Sequence, residues 1–153
     1  MATVDLLYSS TAQITITLNS LSNGLTREST AVDNSSNKYL DASIDIIVSL
    51  SNGTVAGDKA VNVFFYGSVD GVNYTDNATG VDAALTMRSP TNLRGPFVIS
   101  APANGPVSYR AVIGSVASFF GGVLPIEWGI VVQNTSGVIF LTSSNAVAYL
   151  GFE

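Results

Sequence analysis

Leu40-Asp41-Ala42-Ser43-Ile44-Asp45-Ile46-Ile47-Val48-Ser49-Leu50 is the stretch that decides the fold of this chain. Leu40, Ala42, Ile44, Ile46, Val48 and Leu50 fall on one face of an extended chain, and Asp41, Ser43, Asp45 and Ser49 fall on the other. Side chains alternate across a strand with period two, so this pattern predicts a strand with one face in a core and one in water. Ile47 is the one apolar residue on the polar side. Wound as a helix, the stretch would place Asp41 and Asp45 on the same stripe as Ile44 and Val48, which no core would accept.

The same alternation recurs along the chain. Ile14, Ile16 and Leu18 alternate with Gln13, Thr15 and Thr17; Val61, Val63, Phe65 and Val69 alternate with Asn62, Tyr66 and Ser68. Val107, Tyr109, Ala111 and Ile113 alternate with Ser108 and Arg110, and Ile126, Trp128, Ile130 and Val132 alternate with Glu127, Gly129 and Gln133. Shorter strands are expected at 97–100, 138–142 and 146–151. Turn pairs separate them: Asn23-Gly24, Asn52-Gly53, Asp70-Gly71, Asn104-Gly105-Pro106 and Ser136-Gly137. No stretch of ten residues reads as an amphipathic helix, though short helical turns are expected near Asp82–Met87 and Val116–Phe120. About eight strands with frequent turns predict an all-β, single-domain β-sandwich of jelly-roll or Greek-key type over residues 12–153. Residues 19–37 and 73–92 read as long loops, which in a compact domain are functional or held by a neighbour. Residues 1–11 are a candidate N-terminal arm. Its apolar core Val4-Asp5-Leu6-Leu7-Tyr8 either joins the sheet of its own chain or adds to a neighbour's sheet edge, making Leu6, Leu7 and Tyr8 candidate subunit contacts.

Composition narrows the chemistry. Six basic and eleven acidic residues among 153 are under half the charge of an average domain, and Ser, Thr and Asn supply 44 residues instead. The net charge of −5, with Arg27, Lys38, Lys59, Arg88, Arg94 and Arg110 scattered, argues against nucleic acid as a partner. The most apolar window, 116–132, is interrupted by Glu127, Pro125 and several glycines, so a membrane helix is not expected. Met1 to Asp5 lacks the basic segment of a secretory signal. There is no cysteine, hence no disulfide or thiolate metal site, and no histidine, hence no Ser-His-Asp triad.

A glycosidase needs only two carboxylates, and Glu28, Glu127 beside Trp128 and several aspartates could be nominated, yet no spacing singles out a pair. Outward Glu beside inward Trp is the plainer reading. Ser68-Val69-Asp70-Gly71-Val72-Asn73-Tyr74-Thr75-Asp76 resembles the Asp-box hairpin of sialidase-like propellers with one residue missing. Asp-Gly at a hairpin turn supplies positive φ, and the Asp side chain caps nearby amides. Asp70, Asp76 and Asp82, six apart, lack the spacing and closing Glu of a calcium loop. No catalytic residue, metal ligand or cofactor is expected. Asp70, Tyr74 and Asp76 are the candidate binding loop, with an exposed Tyr74 suited to stacking on a sugar.

Three segments together carry a family resemblance: YSSTAQITITLNSL at 8–21, FYGSVDGVNYTD at 65–76 and FGGVLPIEWGIVVQN at 120–134. They resemble small β-sandwich virion structural proteins of tailed bacteriophages, which include capsid decoration (cement) proteins and small tail or fibre components. The resemblance implies a non-enzymatic protein made in the host cytoplasm and carried in the virion. Its partners would be the major capsid protein or other virion proteins, and it would form a homo-oligomer, a trimer by preference. A tail-associated adsorption or carbohydrate-binding module is the alternative it implies. A surface of Ser, Thr and Asn fits such assembly, because these side chains lose little rotamer entropy and bury no charge.

Overall fold

A computed structural model describes residues 6–153. Ten strands form: β1 (Ala12–Gln13), β2 (Thr26–Glu28), β3 (Val32–Asp33), β4 (Asp41–Gly53), β5 (Ala60–Ser68), β6 (Ala83–Ala84), β7 (Arg94–Ser100), β8 (Gly105–Ile113), β9 (Glu127–Thr135) and β10 (Ala146–Phe152). All pair antiparallel in two sheets. Sheet I runs β1-β10-β4-β8, and sheet II runs β6-β2-β9-β5-β7, with β3 also on β9. Set aside the two-residue strands β3 and β6, and the eight others pair first with last, second with seventh, third with sixth and fourth with fifth. That nested pairing is the wrapped order of a jelly roll.

Most of the decisive stretch forms β4 and alternates as read: Ala42, Ile44, Ile46, Val48 and Leu50 are fully buried, while Asp41, Ser43, Asp45 and Ile47 are only half-buried. Its two ends depart from the pattern, since Leu40 precedes the strand and is exposed, and Ser49 is buried with its hydroxyl bonded to Ser108 Oγ and the Ser144 carbonyl. They face Val61, Val63, Phe65, Trp128, Ile130 and Val132 of sheet II across one core. Phe65 stacks on Phe119 of a 3-10 turn at Ala117–Phe120, and Trp128 meets Tyr149 edge-on at 5.6 Å between centroids.

The structure corrects the sequence reading in four places. Ile14 and Leu18 are buried as the alternation requires, but only Ala12–Gln13 is a strand there. Beyond it the chain leaves the sheet edge, and its amides turn to other partners, such as Thr17 N–H to the Asp82 carboxylate at 3.0 Å. Residues 138–142 carry a single bridge, Phe140 to Leu50, because Phe140 N–H turns instead to the Leu21 carbonyl. The helical turn expected at Asp82–Met87 is β6, whose backbone continues onto β2 through Leu85 N–H to the Thr26 carbonyl. The loop expected at 19–37 contains β2 and β3.

β5 and β9 are buried on both faces. Phe64, Tyr66 and Val131, on the face turned away from the main core, join Ala78, Leu85 and Leu93 in a second apolar cluster. Residues 74–93 therefore cover the outer face of sheet II. Sheet I has no such cover among the described residues.

Candidate interaction surface

The loop read as a binding element is tied down by its own polar groups. The Asp70 carboxylate accepts from Val72 N–H (2.9 Å), Asn73 N–H (2.8 Å), Asn73 Nδ2 (2.7 Å) and Ser68 Oγ (2.8 Å), closing the turn around Gly71 at φ +70°. Those donors, Asn73 foremost, hold its pKa well below the carboxylate range. Asp76 accepts from Thr91 Oγ1 (2.6 Å), Asn92 N–H (2.8 Å) and Asn92 Nδ2 (2.9 Å), joining the start of the segment to its end. Asp82 takes the Arg27 guanidinium at 2.6 Å and the Thr17 backbone amide. Asp70 closes its own turn, Asp76 and Asp82 each tie a different pair of segments, and no three acidic groups converge among the described residues.

Tyr74 is not the exposed platform the sequence suggested. Its ring lies edge-on to Tyr66 at 5.7 Å, and its hydroxyl donates to the Glu127 carboxylate. Burial, helped by Glu127, pushes its phenol up to about 12. Tyr66 is fully buried and donates to the Ser29 carbonyl at 2.6 Å; burial raises its pKa well above the usual value. Glu28, 1% exposed, accepts from Thr79 N–H and Thr79 Oγ1, both at 2.8 Å. These groups stitch 74–93 onto sheet II. Neither Tyr74 nor Glu127 lines any of the clefts of 230 to 600 Å³.

This arrangement makes stability acid-sensitive. Asp33, Asp45, Asp70, Asp76 and Asp82 all have folded-state pKa values below the ordinary aspartate value. A depressed folded pKa contributes stability above the unfolded pKa, about 4, and that contribution fades as pH falls through the folded values. The melting temperature should stay level from neutral pH to about 5 and drop steadily towards pH 2. An unchanged melting temperature at pH 2.5, followed by circular dichroism, would contradict the carboxylate assignments.

The predicted subunit contacts sit at one end of sheet I. Leu7 exchanges backbone hydrogen bonds with Glu153 of its own chain (3.3 and 3.0 Å), Ser9 N–H donates to the Gly151 carbonyl (2.9 Å), and Tyr8 pairs with Phe152, ring edge to ring at 5.4 Å. Residues 7–9 thus extend β1 along β10, with a one-residue register slip between the Tyr8–Phe152 and Ala12–Tyr149 pairs. Val4 and Asp5 of that segment lie outside the described residues. The side chains of Leu6, Leu7 and Tyr8 stay 56%, 59% and 63% exposed, and Leu40, beside Phe152, is 67% exposed.

From that end an apolar file runs along the outer face of sheet I. Phe152, Leu150, Ala148 and Ala146 alternate outward on β10, opposite the inward Val147 and Tyr149. Ile47 of β4 and Val112 of β8 flank it, and the one charge pair near its middle, Asp45 with Arg110 (2.7 and 2.6 Å, bidentate), is internally neutralised. Ser43 and Ala148 are too small to fill the space between Val112 and Leu150, leaving a hollow of 230 Å³. Compared with known proteins, the chain matches no family model, no curated protein and no solved structure. Its surface chemistry must carry the functional reading. The alternation of β10 was short but present in the sequence; that this face would stay open needed the sheet order.

Proposed function

We propose that this chain is a non-enzymatic structural protein of a bacteriophage virion, a capsid decoration protein that assembles in several copies on the head and stabilises it. The observation that carries the reading is the contrast between the two outer faces. One is covered by the chain's own 74–93 segment, and the other is a sheet face left open, where the apolar file of β10 lies beside the Asp45–Arg110 pair and Asp41. Open apolar surface on a stable fold marks a site of association. Two further features support it. The carboxylates of the 70–82 region and Glu28 are engaged in hydrogen bonds within the chain, and the resemblance of 8–21, 65–76 and 120–134 is to virion proteins. A jelly roll by itself favours no function, since the fold hosts many. The partners are the major capsid protein and further copies of this chain. Purified protein added to expanded heads that lack it should bind them and raise the temperature at which they break open. Heads equally robust with and without bound protein would remove the cement role.

A further inference from the structure

We propose that the outer face of sheet I is a self-complementary contact that joins two copies of this chain about a two-fold axis. The inference deepens the assembly role and rests on it for its setting. Size comes first. Strands β1, β10, β4 and β8, of two, seven, thirteen and nine residues and about 4.8 Å apart, present on the order of 500 Å² before side-chain relief is counted, against the ~800 Å² each partner buries in a stable interface. Charge then selects the occupant. A strongly basic or acidic partner finds nothing to pair with, because Asp45 and Arg110 already satisfy each other and Asp41 accepts from Ser115 Oγ (2.6 Å) and Ala117 N–H (2.7 Å). A second copy suits the pair: turned by a two-fold axis, Asp45 of each copy can face Arg110 of the other, which leaves Asp41, held by Ser115 and Ala117 at the end of the face, as the charge without a cation. Shape agrees. Val112, 62% exposed, stands beside the hollow that Ser43 and Ala148 leave, and each copy offers the other one such side chain and one such hollow.

The contact is two-fold, so a trimer would be built through another surface, and the exposed Leu6 and Leu7 remain free for it. The neighbouring face also explains why so many short side chains line sheet I: two sheets pack face to face about 10 Å apart, and long charged side chains would hold them off.

The test uses the full chain and three arginine variants at exposed positions: Val112→Arg and Ala146→Arg on this face, and Val98→Arg on β7 of the other sheet, 54% exposed. Sedimentation equilibrium should give twice the 15.9 kDa chain mass for the native protein and for Val98→Arg. Val112→Arg and Ala146→Arg should dimerise at least tenfold more weakly, with unchanged circular dichroism. A native protein that is monomeric at its highest soluble concentration, or a dimer indifferent to both face variants, overturns the contact. Head binding is scored separately. A dimer that ignores expanded heads keeps the contact and removes the virion role; a monomer that stabilises heads does the reverse.

Discussion

Gly129→Ala is expected to cost about 3 kcal/mol or to prevent folding, although it adds one methyl group. Gly129 lies mid-way along β9 opposite Tyr66 of β5, and a Cβ there would run into the Tyr66 ring and hydroxyl. Tyr66 cannot step aside: it is fully buried, its hydroxyl is held by the Ser29 carbonyl, and Tyr74 and the 74–93 segment lie over it. Overpacking a dense interior typically costs 1–3 kcal/mol, and here it also threatens a buried hydrogen bond. Gly114→Ala is the control, since nothing lies within 4 Å of its Cβ position and it should be near neutral. Chemical denaturation measures both; a Gly129→Ala protein within about 0.5 kcal/mol of the native one would show that the second core is loose.

Glu28→Ala should be the most damaging change to a charged residue, about 2–4 kcal/mol. Hydrogen bonds to a charged group contribute about 1.5–3 kcal/mol, and emptying a buried site adds the loss of its packing. Removing Glu28 takes the acceptor away from both the amide and the hydroxyl of the exposed Thr79 and leaves a cavity in place of a 1%-exposed side chain. The loss should be local as well as global: amides of 74–93 should exchange with solvent faster than those of β4 and β10. Tyr74→Phe, which removes one hydroxyl from a half-buried edge, should have the smaller effect. Equal exchange in Glu28→Ala and native protein would mean that the segment is held by its apolar residues alone.

The main sandwich was legible because β4, β8 and β10 have one wet face each, so their alternation survives in the sequence. Sheet II was harder to read. In Val63-Phe64-Phe65-Tyr66 and Ile130-Val131-Val132 both alternating sets are apolar, the mark of a strand buried on both faces. Read as half-buried strands, these runs give no reason for 74–93 to lie over them, so the sequence alone suggests an exposed Tyr74. Glu28 could be named as a carboxylate but not as a buried tie, because Thr26-Arg27-Glu28-Ser29-Thr30 carries no sign of burial and Thr79 reaches it only through tertiary closure. The aspartates of 70–82 were legible as turn formers through Asp-Gly, but their distant partners, Thr91 for Asp76 and Thr17 for Asp82, depend on tertiary closure.

On the proposed role, the open face of sheet I is where this protein would meet its neighbours in a particle. Electron cryo-microscopy of an intact virion carrying the protein tests that claim most directly. Many copies spread over the head are expected, with Ala146, Ala148, Leu150 and Val112 covered by a neighbouring chain. A few copies at one vertex or the tail tip, with that face in solvent, would contradict it.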